Sequence, residues 1–376
     1  MMWKGMTQRA QKVISFRAQE EAKRCHAEKL LPEHIILALL KEQGHEVIGL
    51  HMKLYHGPEN ETRPKSCCSL DEAIDARAAC HRLNIPFYVL DCQKEFRESV
   101  IDYFVEEYSR GNTPNPCVMC NKEIKSNLLL KKVDELDCDY LATGHYAKIR
   151  FNPLIRRQQL IRPQDLRKDQ TYFLHSIPAD ELHRLMFPLA DIIKPEVRKI
   201  AGKLNLSAAN KPDSQEICFV PKDYRYFLKQ ELNEVPEPGE FISVSGEVLG
   251  EHLGLPFYTI GQRRGLGLSD STPYYVVKID KGKNRIVLGK EEDLYSKTIF
   301  VSRVNWLSIS PPKEQLHVTA KLRYSHQGVA ASVFPESDNK VRLELDVPER
   351  AVTPGQAAVF YQDEILLGGG SINDLP

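Results

Sequence analysis

The chain of 376 residues carries 51 Lys+Arg against 51 Asp+Glu, with 42% hydrophobic and 27% charged residues, which excludes a disordered tail or a fibre and gives length for two or three domains. Zero formal net charge excludes a polycation that grips nucleic acid by bulk charge, and leaves local basic clusters to carry any such role. The longest early apolar run, residues 35–40, is far below the roughly 20 residues of a membrane span, and no signal-peptide apolar region precedes it, so a cytosolic protein with no membrane partner is expected. Nine scattered cysteines in a chain of this size point to reduced, working thiols and away from a secreted disulfide framework.

In chain order, Ala10, Val13, Ile14, Ala18, Ala22 and Cys25 recur at spacings of three and four, which predicts a helix over residues 7–25 with Thr7 as its N-cap. A second helix is predicted over 32–43, with Pro32 in its first turn and Gly44 at its exit. Short apolar runs at 47–50 and 85–90 then read as buried strands around a helix at 70–83, the grammar of a parallel α/β sheet. Helices at 94–108 and 121–136, a Pro/Asn-rich loop at 111–116 and a strand at 139–143 continue the alternation. Ligands in such sheets sit at the carboxyl ends of strands, which favours Gly144 and His145. Residues 148–169 hold seven basic side chains against two acidic ones. A helix at 194–204 and a loop at 210–216 follow. Beyond Pro221 the pattern becomes β, with short runs at 241–244, 274–279, 285–288, 341–347 and 357–361.

Several segments could carry chemistry. A thiol at a helix N-terminus has its thiolate stabilised by unpaired N–H groups, so Cys120, in the Cys117–x–x–Cys120 pair, is a candidate nucleophile; half a zinc site or two buried thiols is the bland alternative. Cys67 and Cys68 are adjacent, poor geometry for completing one tetrahedral site. Cys218, after a polar loop, reads alone as a core thiol. It gains interest only if it meets Cys120, because thiolate attack on a persulfide or disulfide is how proteins move sulfur. Lys168, Asp169 and Gln170 close the basic segment, as either a solvated helix start or an RNA contact. The Gly261–Gly267 stretch, Arg323, Tyr324 and Gln356 are weaker signals of the same kind.

Six ordered stretches together resemble the bacterial tRNA-specific 2-thiouridylase family: GNTPNPCVMCNKEIK (111–125), YLATGHYA (140–147), RKDQTYFL (167–174), DSQEICF (213–219), TIGQRRGLGL (259–268) and AVTPGQAAVFY (351–361). The resemblance runs from about residue 39 to the carboxyl terminus. It implies a parallel-sheet α/β domain like that of adenine-nucleotide hydrolases over 45–221, a small central domain over 222–292 and a β-barrel over 293–376. It also implies 2-thiolation of the wobble uridine with ATP, Mg²⁺ and a persulfide donor protein. By the same resemblance Cys120 is the nucleophile and Cys218 the persulfide carrier, the two closing a disulfide during turnover. Met52 and Gly144 then contact the nucleotide, Asn115, Pro116 and Cys117 lie beside the target base, and His145, Lys168, Asp169, Gln170, Arg323, Tyr324 and Gln356 contact tRNA.

The family begins with a buried strand running into a phosphate loop of the type S-G-G-V-D-S-S, and no such loop exists here. In its place residues 7–40 resemble the first helices of the amino-terminal domain of Clp-type ATPases, which binds adaptors. Three expectations follow. Residues 1–44 form an atypical helical segment; the central strand is missing, leaving two ladder edges unpaired; and ATP binding is impaired, which makes a tRNA-binding remnant the alternative function.

Overall fold

The computed structural model describes residues 12–16, 32–55, 70–203, 217–220, 223–232, 234–268 and 270–373. The chain divides into two compact units, Met1–Arg97 with Cys120–Phe219 and Glu98–Met119 with Val220–Pro376.

The first unit is built on five parallel strands: β1 (Lys12–Phe16), β2 (Glu46–Lys53), β3 (Phe87–Asp91), β4 (Tyr140–Ala142) and β7 (Leu185–Met186), in the order β3-β2-β1-β4-β7. The strand expected to be missing is therefore present, and the predicted helix over 7–25 is interrupted by it. Ile14 is in register with Ile48 on one side and Leu141 on the other, so neither ladder edge is left open. Spacing of apolar residues favours a helix here, but two neighbouring strands each offer a row of backbone partners, and the β-branched pair Val13-Ile14 suits that slot. The remainder of residues 7–25, the rest of the Clp-like segment before Pro32, Cys67, Cys68 and the predicted loop at 210–216 lie outside the described residues.

Helices Pro32–Glu42 and Leu70–Arg82 sit where the pattern placed them. Both end in a Schellman arrangement, with Gly44 N donating to Lys41 O (3.0 Å) and His45 N to Leu40 O (3.1 Å), then Asn84 N to His81 O (3.1 Å) and Ile85 N to Cys80 O (2.9 Å). These exits turn the chain straight into β2 and β3. Ile36, Leu37 and Leu40 pack with Val47, Cys80, Ile85 and Ala142 into the core beside the sheet.

The helix expected over 121–136 begins earlier. Helical structure runs from Pro116–Met119 through a π-helical stretch, Cys120–Leu128, into Leu129–Glu135. Proline at the first helical position lacks only an N–H that would have had no partner, so Pro116 starts the helix where the sequence reading had ended a loop. The helix predicted over 94–108 likewise contains a π-helical turn, Arg97–Ile101, between Gln93–Phe96 and Asp102–Ser109. The basic segment folds as an antiparallel hairpin, β5 (Lys148–Asn152) and β6 (Arg157–Ile161).

In the second unit a four-stranded sheet, order β10-β11-β8-β9, is formed by β8 (Gly239–Ser243), β9 (Val248–His252), β10 (Tyr275–Asp280) and β11 (Arg285–Gly289). The last module is β12 (Tyr295–Trp306), β13 (Leu316–Lys321), β14 (Val329–Ser337), β15 (Lys340–Arg350), β16 (Ala357–Gln362) and β17 (Ile365–Ile372). They run in the order β12-β15-β14-β13-β16-β17, and pairing of β12 with β17 closes the barrel. Alternate residues such as Ile299, Val301, Val333, Leu343, Leu345 and Phe360 fill its interior. The expected class, a parallel α/β sheet followed by a small central domain and a β-barrel, is the observed one.

Candidate functional site

In the first unit the winding direction of the sheet reverses between β1 and β4, and ligands of such sheets bind outside the carboxyl ends of the strands at that point. Thr143, Gly144 and His145 leave the end of β4 there. A 2.8 Å hydrogen bond joins Thr143 Oγ1 to His145 Nδ1, and the imidazole stands edge-on to Phe187 with ring centres 6.0 Å apart. Met52, near the end of β2, is buried at 2% exposure, and Gly144 lies just past β4; β2 and β4 are the two strands that flank β1.

A triphosphate needs a row of backbone N–H donors, normally supplied by a glycine-rich turn after the first strand. The chain has no glycine between Phe16, the last residue of β1, and Gly44. Residues 17–31, which follow β1, lie outside the described residues, so of the nucleotide side only Met52 and Gly144 are in view.

The helical start at Pro116 changes the argument about thiols. The field of a helix terminus fades within its first turn, so it acts on Cys117, which is exposed, while Cys120 lies a turn further in and is 9% exposed. Cys120 opens the π-helical stretch, an uncommon geometry that recurs at functional positions. That stretch packs against Gln93–Phe96. Phe96 in turn meets Phe219 edge-on (5.8 Å between centres), and Phe219 directly follows the half-buried Cys218. Both candidate thiols are thus borne by segments that touch the short helix Gln93–Phe96. Burial pushes the Cys80 and Cys92 thiols up to about 12, which marks those two as packing residues.

Of the expected tRNA contacts in this unit, Asp169 is buried, its Oδ1 accepting from Thr171 N (2.9 Å) and Thr171 Oγ1 (2.6 Å), with Arg162 Nε 3.5 Å from Oδ2. Gln170 brackets Tyr146: its backbone N donates to Tyr146 O (3.0 Å), and its Oε1 accepts from Tyr146 N (2.9 Å). Gln170 therefore braces the residue after the Gly144–His145 turn, Asp169 holds the start of the next helical turn at Thr171, and Lys168 remains half-buried beside them. Much of the basic segment is compensated locally, Lys148 by Asp191 (2.6 Å) and Arg167 by Asp165 (3.7 Å), whereas Arg150 and Arg156 are exposed.

The second unit brings three motif stretches to one place. Thr113 N donates to Pro354 O (2.9 Å), Gln356 Nε2 donates to Thr113 O (2.7 Å), and Thr113 Oγ1 lies 3.3 Å from Thr259 Oγ1. Gly355 has φ +89°, and a Cβ there would stand 3.0 Å from Thr113 N, Thr113 O and Asn112 Cβ, so glycine is required on both counts. A cleft of about 200 Å³ is lined by Thr113, Thr259, Leu322, Arg323, Arg350 and Gln356. Arg323 Nη2 donates to Arg350 O (3.4 Å), Arg350 is held bidentate by Glu291 (2.6 and 3.3 Å), and Tyr324 is 41% exposed with Lys321 Nζ 5.8 Å from its ring centre. The loop carrying Asn115, Pro116 and Cys117 is thus fastened at its root by the barrel loop at 353–356.

Three family models cover nearly all of the described chain: the tRNA methyl transferase HUP domain over residues 34–222, the tRNA methyl transferase PRC-barrel domain over 225–290 and the aminomethyltransferase β-barrel domain over 296–372. A protein of Carboxydothermus hydrogenoformans named tRNA-specific 2-thiouridylase MnmA is 46% identical over 342 residues, 90% of this chain and 93% of that one. The chain belongs to that family. A Halothermothrix orenii member is 45% identical across 90% of this chain and 95% of its own length, and a Symbiobacterium thermophilum member 44% identical across 90% and 88%. Among the described residues no helix is long and apolar enough to cross a membrane.

Two residues that hydrogen-bond Asn112 beside this cluster, Glu107 and Lys281, were not singled out from the sequence. Glu107 interrupts the buried stripe Val100, Phe104, Tyr108 of its helix, and a carboxylate on an apolar face is a signal that could have found it. Lys281, in a turn after β10, gives no local signal at all.

Proposed function

We propose that the chain is a tRNA uridine 2-sulfurtransferase in which Cys218 carries sulfur as a persulfide and Cys120 releases it. The observation that carries the reading is that the two thiol-bearing segments both touch the helix Gln93–Phe96, on a chain 41–46% identical to named 2-thiouridylases. In the sulfur-releasing step the Cys120 thiolate attacks the inner sulfur of the Cys218 persulfide. A Cys120–Cys218 disulfide forms, the S–S bond to the outer sulfur breaks, and that sulfur leaves with the electron pair as hydrosulfide; its exchange for the C2 oxygen of the uracil would need that oxygen activated as a leaving group, the chemistry ATP would supply when bound. A thiol reductant returns the disulfide to two thiols. Asn115, Pro116 and Cys117 then border the base, while His145, Lys168, Arg323 and Tyr324 approach the tRNA, with Asp169, Gln170 and Gln356 acting from behind them. A persulfide donor protein is the implied partner, and 45–221, 222–292 and 293–376 are the proposed domain limits.

The family's use of ATP with Mg²⁺ is the part this chain is least equipped for, and no step is assigned to it. The glycine-free segment after β1 favours a second reading, a catalytically impaired tRNA-binding remnant. Loss of several charge-assisted hydrogen bonds at roughly 1.5–3 kcal/mol each corresponds to orders of magnitude in ATP affinity. The deciding experiment incubates the protein with tRNA, ATP, Mg²⁺ and a persulfide donor, then measures 2-thiouridine by nucleoside mass spectrometry alongside calorimetric titration with Mg-ATP. Thiolation abolished by Cys120→Ser and Cys218→Ser, with tRNA binding retained, supports the enzyme. Salt-sensitive tRNA binding without thiolation or ATP uptake selects the remnant. A micromolar dissociation constant for ATP overturns the account of the segment after β1.

A further inference from the structure

Asn112 stands one residue before the fastened Thr113, and its side-chain amide lies between two opposite charges. Its Nδ2 donates to Glu107 Oε2 (2.8 Å), and its Oδ1 accepts from Lys281 Nζ (2.9 Å). Glu107 is nearly excluded from water, with 6% side-chain exposure, and Arg110 Nη1 lies 3.4 Å from its other oxygen. An amide with an anion at its N–H end and a cation at its carbonyl end has one orientation only, and each charge polarises the bond made by the other. The backbone is fixed as tightly. Gly111 has φ +68°, its N donates to Tyr108 O (2.9 Å) and Asn112 N donates to Glu107 O (2.9 Å), ending the helix Asp102–Ser109. The site of a Cβ on Gly111 is 2.9 Å from Ile279 Cγ2 and 3.5 Å from Lys281 Cε, so the lysine stem lies directly on the turn.

We propose that Lys281 is a positioning residue for the sulfur-transfer loop: through Asn112 and the buried Glu107 it sets the direction in which residues 113–117 leave the helix. The lysine belongs to the segment matched by the PRC-barrel model, a module that carries none of the candidate catalytic residues, and the relay gives that module a part in the reaction. A buried carboxylate is costly unless paired and hydrogen-bonded, so the arrangement is cooperative: removing the ammonium weakens the hold on the amide, and with it the shielding of Glu107. Only the loop's chemical role rests on the sulfurtransferase reading; the relay itself does not.

The experiment is hydrogen–deuterium exchange of the full chain, read on peptides covering 111–118, for wild type, Lys281→Met, Lys281→Arg, Asn112→Leu and the double variant Lys281→Met with Asn112→Leu. The expected result is exchange about tenfold faster in Lys281→Met, recovered by Lys281→Arg, with no further change when Lys281→Met is added to Asn112→Leu. In thiolation assays Lys281→Met should lower kcat with the KM for tRNA within about twofold, since the residue orients the loop and does not touch RNA. Unchanged exchange in Lys281→Met, or an increase that Lys281→Arg fails to reverse, overturns the proposal. If Lys281→Met fails to fold, Asn112→Leu removes the same bond from its other end and is read in the same way. Because exchange needs no turnover, an inactive wild type would count against the sulfurtransferase reading alone.

Discussion

His175 is the clearest titrating residue of the first unit. It is 4% exposed, its Nδ1–H donates to Tyr172 O (2.8 Å), and burial pushes its pKa down from 6.5 to about 4. The folded pKa lies below the unfolded one, so the unfolded state binds the extra proton first. Stability from the neutral ring is complete above pH 6.5, and is lost progressively as pH falls from 6.5 to about 4, by roughly 3 kcal/mol in all. Urea midpoints between pH 7.5 and 4.5 should therefore fall more steeply for wild type than for His175→Gln; equal slopes would show that another group governs the acid limb. Gly355→Ala is expected to cost roughly 1–3 kcal/mol, because φ +89° is strained for alanine and the new methyl meets backbone of Thr113. A melting temperature within a degree of wild type would contradict the close approach of the two loops. Such residues were only partly legible. Thr113, Thr259 and Gln356 lie in quoted motifs, yet nothing local says that Gln356 spends its amide on a carbonyl 243 residues away.

Strand β1 shows how an element can be misread from pattern alone. Alanines on either side of Val13 and Ile14 complete a helical stripe, and only the neighbours in register, β2 and β4, decide for extended structure. Proline substitution separates the two descriptions. Ile14→Pro breaks a strand hydrogen-bonded on both sides and should cost about 3 kcal/mol or more, whereas Lys12→Pro falls on the first residue of the strand and should be far milder. In a helix started at Thr7 both prolines would be interior and equally harmful, so matching losses in circular-dichroism melts would restore the helical reading. The second misread boundary has a similar cause. In the sequence Pro116 reads as loop because proline usually punctuates, although the first helical position is where proline fits best. The barrel strands were readable because a two-residue alternation faces a single interior, as in Val341, Leu343 and Leu345.

At the scale of the molecule, the class of fold was legible because buried strands and helices alternate through the first half and short β runs fill the second. The division into units was not. Glu98–Met119 belongs with the carboxyl-terminal modules, and the bonds that put it there span from Asn112 to Lys281 and from Thr113 to Gln356. No window of sequence contains both ends of such a bond. That interleaving also has a consequence for how the protein is made. On a ribosome adding about 5–20 residues per second, the 243-residue interval between Thr113 and Gln356 amounts to roughly 12–50 s. Throughout that time the nascent loop bearing Cys117 has been synthesised but lacks its anchor in the barrel, and every chain terminated before Gln356 stays in that state. Only a chain extended past Gln356 gains that last fastening, so the order of synthesis itself withholds the fully held loop from shorter products.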